Sequence, residues 1–149
     1  MSNTIPDSLA ADIRDYFLSD VPEGMEALTA DRVRFRDDVT EPPCPRLVIL
    51  PGVPLRIPSM DGTCKIPVEI KFVSAFENMS PADHRVISGI LQTWWAGIRA
   101  KRKALSPFTR TYLHDLLVSP PSPDERLPEH DELCTTVRGT MIVTELLLV

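Results

Sequence analysis

The chain has 149 residues, 43% hydrophobic and 25% charged, a composition typical of one globular domain and unlike that of a disordered or fibrous chain. Its formal net charge of −5 disfavours general binding to nucleic acid or to an anionic membrane, because both require clustered cations. Prolines outnumber glycines by 15 to 6, which indicates stiff loops and disfavours a glycine-rich phosphate-binding loop.

The N-terminal region, residues 1–42, is predicted to form a helix followed by an acidic connection. Apolar residues recur at helical spacing between residues 9 and 21, and either Asp7 or Ser8 is positioned to cap this helix. The stretch 32–45 predicts a short exposed strand and then a proline-stiffened connection. That connection carries three carboxylates that we expect on the surface: Asp37, Asp38 and Glu41.

Residues 43–149 are predicted to form the sheet-and-helix core. The apolar run 47–50 and the alternating segment 64–73 each predict a strand. Between them lies a proline-rich connection, Pro51–Pro58. Pro67 has no N–H to donate to a neighbouring strand, so we expect its part of the second strand at an edge or an end of the sheet.

The strongest helix signal follows Ser80. This serine is placed as the cap, Pro81 as the first helical residue and Asp83 as a carboxylate near the positive end of the helix dipole. We expect the helix to run to about Lys103, with Ser88 on its polar face. Its apolar residues predict a core-facing stripe: Val86, Ile87, Ile90, Leu91, Trp94, Trp95 and Ile98.

The remaining elements complete an α+β fold. Ser106 and Pro107 repeat the start signal, and the spacing of apolar residues over 108–117 predicts a shorter second helix. Residues 119–132 predict a surface loop, and residues 133–149 predict either a strand pair or one long bent strand. The predicted fold is a single domain, 1–149, in which a small mixed or antiparallel sheet packs against one long helix, with an N-terminal helix and the shorter second helix.

Three histidines, His84, His114 and His130, each adjoin an aspartate, as a general base adjoins an orienting carboxylate in hydrolases. Sequence neighbours on a helix point about 100° apart, so we expect structural roles for all three. Zinc-type spacings, nucleophile elbows and phosphate-binding glycine patterns do not occur in the sequence. We therefore expect no catalytic residue, metal or cofactor. The alternative is a small hydrolase or metal-dependent enzyme that uses these histidines.

Cysteine usage and hydropathy indicate the compartment. The three cysteines are an odd number and widely spaced, which is typical of reduced thiols in a cytosol. The sequence shows no secretory signal, and its apolar runs fall far short of the ~20 residues that span a bilayer. We expect a cytosolic protein with no membrane partner and no sequence-specific nucleic-acid partner.

Two features are candidate contact surfaces. Trp94 and Trp95 are typical of a helix core, but one of them must lie at the margin of the apolar stripe, where an indole suits an interface. The other feature is a cationic patch, which either complements the helix dipole or contacts another molecule. Its members are Arg99, Lys101, Arg102, Lys103 and Arg110.

In the order of its elements the chain resembles the small tail terminator and tail completion proteins of tailed bacteriophages. The resemblance rests on the strand segments 45–49 and 66–70, which match a central pair packed on the long helix. It also rests on the Asp83-His84 step that opens that helix. The resemblance implies a non-enzymatic subunit of the virion, assembled in the bacterial cytoplasm. Such a subunit forms a six-fold ring on the tail tube, stops its polymerisation and receives the head connector.

The implied partners are other copies of the chain, the tail tube protein and the head connector proteins. Residues 1–42 carry ten carboxylates and four arginines, a net charge of −6, whereas residues 43–149 have a net charge of +1. We therefore expect head-to-tail contacts in which acidic residues of one subunit, with Asp37, Asp38 and Glu41 as candidates, meet the cationic patch of the next. A monomeric adaptor that binds another protein through Pro51–Pro58 is a further alternative.

Overall fold

A computed structural model describes residues 5–34, 44–58, 62–101, 108–120, 122–127 and 131–146. Two helices pack on a seven-stranded mixed sheet with strand order β1-β2-β4-β7-β5. β3 pairs with β4 and β6 pairs with β7. The elements are α1 (Ile5–Ser19), a 3-10 turn (Ala30–Arg32), β1 (Val33–Arg34), β2 (Arg46–Pro51), β3 (Leu55–Arg56), β4 (Thr63–Ala75), α2 (Pro81–Lys101), β5 (Thr111–Val118), β6 (Glu125–Leu127) and β7 (Glu132–Glu145).

The α+β class is confirmed, and the sheet is mixed because β1 runs parallel to β2 while the other pairs are antiparallel. Directly opposed residues of antiparallel strands share a face of the sheet. On one face, β2, β4 and β7 contribute the apolar side chains that pack with both helices in a single core. The other face carries charged residues and threonines together with apolar side chains, some of them buried, so the molecule has a helical layer and a sheet layer.

The start of α2 and most of its predicted stripe are confirmed, since six of the seven stripe residues are buried or pack against the core and only Val86 does not. The Ser80 hydroxyl accepts the backbone N–H of Asp83 at 3.2 Å, as a cap should. Ser88, expected on the polar face, is buried, whereas Val86, expected in the stripe, is 64% exposed. The residues that face the sheet are spaced by three or four along the helix: His84, Ser88, Leu91, Trp95 and Ile98.

The predicted shorter second helix is wrong, because residues 111–118 form strand β5, paired with β7. A bulge lies between Leu113 and Asp115, where one extra residue enters β5. The bulge separates the buried Leu113 from the next buried residue, Leu116, by three positions. A spacing of three between buried residues is typical of a helix, so the sequence of this strand predicts a helix. The start signal at Ser106 and Pro107 lies outside the described residues.

One long strand, β7, closes the sheet, so the single-strand alternative is confirmed. It lies between β4 and β5, and at Gly139 the neighbours leave no room for a side chain. A Cβ there would be 2.9 Å from Leu116 Cδ1 and 3.0 Å from the Trp95 ring. The predicted loop 119–132 is partly wrong, because it contains β6 and the first residue of β7.

Pro67 lies on β4, a central strand, and not at a sheet edge as expected. Its carbonyl oxygen accepts the N–H of Gly52 at 2.7 Å, just beyond the end of β2. In a strand the nitrogen and the carbonyl of one residue point to the same side. The nitrogen of Pro67 therefore faces the Gly52 side, where the ladder between β2 and β4 ends.

The N-terminal helix is confirmed, but it begins before its predicted caps. α1 runs from Ile5 to Ser19, so Asp7 and Ser8 lie inside its first turns. The strand expected near residue 33 is present as β1. The predicted surface carboxylates Asp37, Asp38 and Glu41 lie outside the described residues.

Candidate functional site

A chain of buried polar groups surrounds His84, whose side chain is 0% exposed. Its Nδ1 atom lies 2.6 Å from the hydroxyl of Ser74 on β4, and its Nε2 atom lies 2.7 Å from the hydroxyl of Thr135 on β7. Thr135 in turn donates to the carboxylate of Asp124 at 2.7 Å. The imidazole also stacks on Phe72, with ring centres 4.9 Å apart. The first turn of α2 is thereby joined to two central strands.

The direction of the hydrogen bonds fixes the tautomer of His84. An ionised carboxylate only accepts, so the single hydroxyl proton of Thr135 goes to Asp124. Thr135 must then accept from His84, which places the imidazole proton on Nε2. The unprotonated Nδ1 accepts from Ser74. Both ring nitrogens of neutral His84 have hydrogen-bond partners in this arrangement. Burial lowers the pKa of His84, and the negative charge of Asp124 offsets only part of that effect.

The same groups occur in hydrolytic relays, where a histidine takes a proton from a serine. A nucleophile must also meet its substrate, and Ser74 is only 2% exposed. In this conformation no substrate atom reaches the serine. The geometry makes His84 a structural tie between α2 and the sheet.

His114 does not join His84. His114 lies at the bulge of β5, where its Nε2 atom is 2.7 Å from the hydroxyl of Thr144 and its ring meets the edge of Tyr112. His130 lies outside the described residues. Within the described ranges, no three metal-ligating side chains of the His, Cys, Asp or Glu type converge.

The cationic patch does not form one described surface. Arg99 pairs with Asp115 at 2.8 Å, an ion pair between α2 and β5 of the same chain. Arg110 pairs with Asp12 at 3.1 Å and with Asp15 at 2.8 Å, both on α1. The side chain of Lys101 and the residues Arg102 and Lys103 lie outside what the structure describes.

The tryptophan pair belongs mainly to the core. Trp95 is buried, and its indole N–H donates to the carbonyl of Arg138 at 3.0 Å. Trp94 is half-buried between the helices, where it stacks on Tyr16 and meets Phe17 edge-on. In the single chain, Trp95 exposes no surface to a partner, and Trp94 exposes only part of its side chain.

Asp12 is a buried anchor that the sequence prediction did not identify. Its carboxylate is 0% exposed and accepts the Thr111 hydroxyl at 2.7 Å, the Thr111 N–H at 2.8 Å and the Arg110 guanidinium at 3.1 Å. These bonds tie α1 to the first residues of β5. Its position was a usable signal, because residue 12 lies on the same helical arc as the apolar Leu9 and Tyr16.

A second buried ion pair lies on the sheet face opposite the helices. The Arg46 guanidinium holds the Glu132 carboxylate with two bonds, of 3.1 and 3.3 Å. The thiol of Cys44 donates to the same carboxylate at 2.9 Å. β2 and β7 are thereby linked across β4, which lies between them.

A groove of about 770 Å³ lies between the turn after α1 and the outer side of α2; we call it the α1–α2 groove. A Cβ added at Gly89 or Gly97 would meet nothing within 4 Å, so these residues leave it open. Within the described part of the chain, neither Asp20 nor Glu23 has an ion-pair partner. The groove is lined by Asp20, Val21, Pro22, Glu23, Val86, Gly89, Ile90, Thr93, Trp94 and Gly97.

Exposed apolar side chains stand on two further parts of the surface. One part is the segment 53–56, called the β3 projection, where Val53 is 78% and Leu55 66% exposed. The other is β5, where Tyr112, Leu117 and Val118 are about half exposed. These two parts flank opposite sides of the central strand pair β4 and β7.

Neither models of known protein families nor curated protein sequences gave a match to this chain. Among the described residues, neither helix combines the length and the hydropathy needed to cross a membrane.

Proposed function

We propose that this protein is a non-enzymatic structural subunit that assembles with copies of itself into a ring. The assembly is of the kind implied by its resemblance to phage tail terminator and tail completion proteins. In that role the ring is part of the virion, at the end of the tail tube, and its further partners are the tail tube protein and the head connector proteins.

The observation that carries the proposal is the exposed apolar surface of the single chain. Monomeric soluble proteins rarely leave large apolar side chains grouped on their surface unless a partner covers them. Here such groups occur on two separate elements, the β3 projection and β5. A subunit with a neighbour on each side requires separate contact surfaces.

β5 supports the proposal in a second way. Among the described residues it pairs only with β7, so its other backbone edge is free for another strand. The exposed side chains of Tyr112 and Leu117 lie beside that edge. Strand addition at such an edge is a common way for chains to associate.

The element order supports the resemblance as far as the long helix. The described chain has a helix, a central strand pair and the long helix in the expected order, whereas strand β5 takes the place of the expected shorter helix. The Asp83-His84 step has a structural reason in this layout. Asp83 donates its N–H to the cap, and His84 fixes the first turn of the helix to the sheet.

Light scattering after size-exclusion chromatography tests the proposal, together with negative-stain images of the full chain. We expect a closed oligomer, or an oligomer whose size rises with concentration, and ring-shaped particles. A monomer of 16.7 kDa at every concentration would contradict the proposal. Binding of the rings to a purified tail tube protein would extend the proposal to the tail.

A further inference from the structure

We propose that the β3 projection of one copy docks in the α1–α2 groove of the next copy. This inference rests on the proposed self-assembly and specifies the contact that performs it. The two surfaces lie on different parts of the chain, so the contact between subunits is heterologous. Repetition of such a contact gives a ring when the rotation closes and a filament when it does not.

The chemistry of the two surfaces is complementary. The projection presents Val53 and Leu55 with Arg56 beside them, all exposed. The groove presents an apolar lining with Asp20 and Glu23 among its residues. An apolar contact flanked by opposite charges gives both affinity and orientation.

The charges of the groove are available to a partner. Asp20 and Glu23 have no ion-pair partner in the described chain. Burial, and then the negative charge of the nearby Asp20, raise the pKa of the Tyr16 hydroxyl. Arg56 of the next copy supplies the missing cation, a role that we had assigned to the patch containing Arg99 and Arg110.

Both surfaces are formed before they meet. The projection is held at its start by Gly52, whose N–H bonds to Pro67 and whose missing Cβ would lie 2.6 Å from Pro67 Cγ. Leu55 and Arg56 pair with β4, and Pro54 restricts the backbone between them and Gly52. The groove stays open because two glycines line it. Little conformational entropy is therefore lost on docking.

The test uses one variant that fills the groove and one that removes the projection. Gly89→Gln places a side chain in the groove, where a Cβ meets nothing within 4 Å, and it raises helix propensity. Its matched control is Ala100→Gln, on the exposed surface of α2 outside the groove. The second variant, Val53→Ser with Leu55→Ser, removes two exposed apolar side chains and leaves the core unchanged.

Sedimentation velocity of each full chain measures association, and circular dichroism with thermal melting checks the fold. We expect each variant to raise the dissociation constant for self-association at least ~10-fold, which is about 1.4 kcal/mol. The Ala100→Gln control should associate like the wild type. An equal mixture of the two variants should form pairs and stop there, because each supplies one intact half of the contact.

The outcomes separate the two proposals. If the wild type assembles and the folded variants assemble equally well, the docking contact is wrong while the structural role stands. If both variants are monomeric but their mixture forms no pair, the groove and the projection do not face each other, and the docking contact is again wrong. A wild type that stays monomeric overturns the structural role and the contact with it.

Discussion

The two helices are tied to the sheet by opposite kinds of buried polar group. α1 is anchored through a carboxylate, Asp12, which accepts two backbone N–H groups, a hydroxyl and a guanidinium. α2 is anchored through an imidazole, His84, which has hydroxyl groups on both ring nitrogens. A buried anion needs charged or N–H donors around it, whereas a neutral ring is satisfied by hydroxyls. The anchor of α1 therefore depends on the charged carboxylate of Asp12, and the anchor of α2 depends on the neutral imidazole of His84.

The largest expected effect is the loss of the charged anchor. Asp12→Ala should lower the free energy of unfolding by about 3–5 kcal/mol, because it leaves buried donors of Thr111 without an acceptor and removes a partner of Arg110. Denaturant melts measure the change. A loss below ~1 kcal/mol would show that α1 is held by apolar packing alone.

Leu91→Ala should cost about 2–5 kcal/mol, the usual range for a truncated core leucine. Leu91 is fully buried on the face of α2 that carries His84. This variant therefore measures how much apolar packing contributes to holding α2 on the sheet. Chemical denaturation gives the comparison with Asp12→Ala. A change under about 0.5 kcal/mol would mean that this face of α2 is not packed on the sheet.

His84→Ala should cost about 2–3 kcal/mol, since it leaves the hydroxyls of Ser74 and Thr135 without their shared partner. Ser74→Ala is the matched control and should cost less, because Nε2 of the ring keeps its bond to Thr135. Urea unfolding of both variants tests the order. Equal stability of His84→Ala and wild type would remove His84 as an anchor.

The histidine anchor should also respond to acid. Because burial lowers the pKa of His84 in the folded state, the unfolded chain binds more protons as pH falls through about 6.5. The contribution of neutral His84 is complete above that pH and is lost below it. The free energy of unfolding, measured from pH 8 to pH 5, should therefore fall less steeply in His84→Ala than in wild type. Parallel curves would contradict the assigned neutral state.

The smallest expected effect belongs to the exposed neighbour of the charged anchor. Asp15 lies 2.8 Å from Arg110, but its side chain is 51% exposed. Solvent screening limits such a pair, so Asp15→Ala should change stability by less than ~1 kcal/mol. Thermal melts at low and high salt test this. A cost equal to that of Asp12→Ala would show that the guanidinium, rather than the buried carboxylate, holds α1.

Local patterns were sufficient for most of the fold. The cap at Ser80 and the alternation from Ile66 to Phe72 each depend on neighbours in sequence, and both are confirmed. β5 was mistaken for a helix because its bulge gives Leu113 and Leu116 helical spacing. Only pairing with a strand far along the chain settles that ambiguity, and no local window contains that strand.

The candidate sites were less accessible to prediction for the same reason. His84 was singled out with its sequence neighbour Asp83, whereas its actual partners lie 10 and 51 residues away. Within the single chain Arg99 and Arg110 pair with Asp115 and Asp12, which are distant in sequence, and their contact with another subunit stays a prediction. The α1–α2 groove arises only when two helices approach, so no single stretch of sequence displays it.

The position of β7 in the sheet sets an order of events during synthesis. This strand lies between β4 and β5 and also holds β6, yet residues 132–145 follow all three in the sequence. Until residues 132–145 have left the ribosome, β4, β5 and β6 lack the strand that joins them. Pairing partners such as Thr63 and Thr144 are far apart in sequence, and contacts of that kind slow folding. The nascent chain therefore leaves β5 and β6 without their shared partner until residues 132–145 have been made, and unpaired strands of that kind favour misfolding and aggregation.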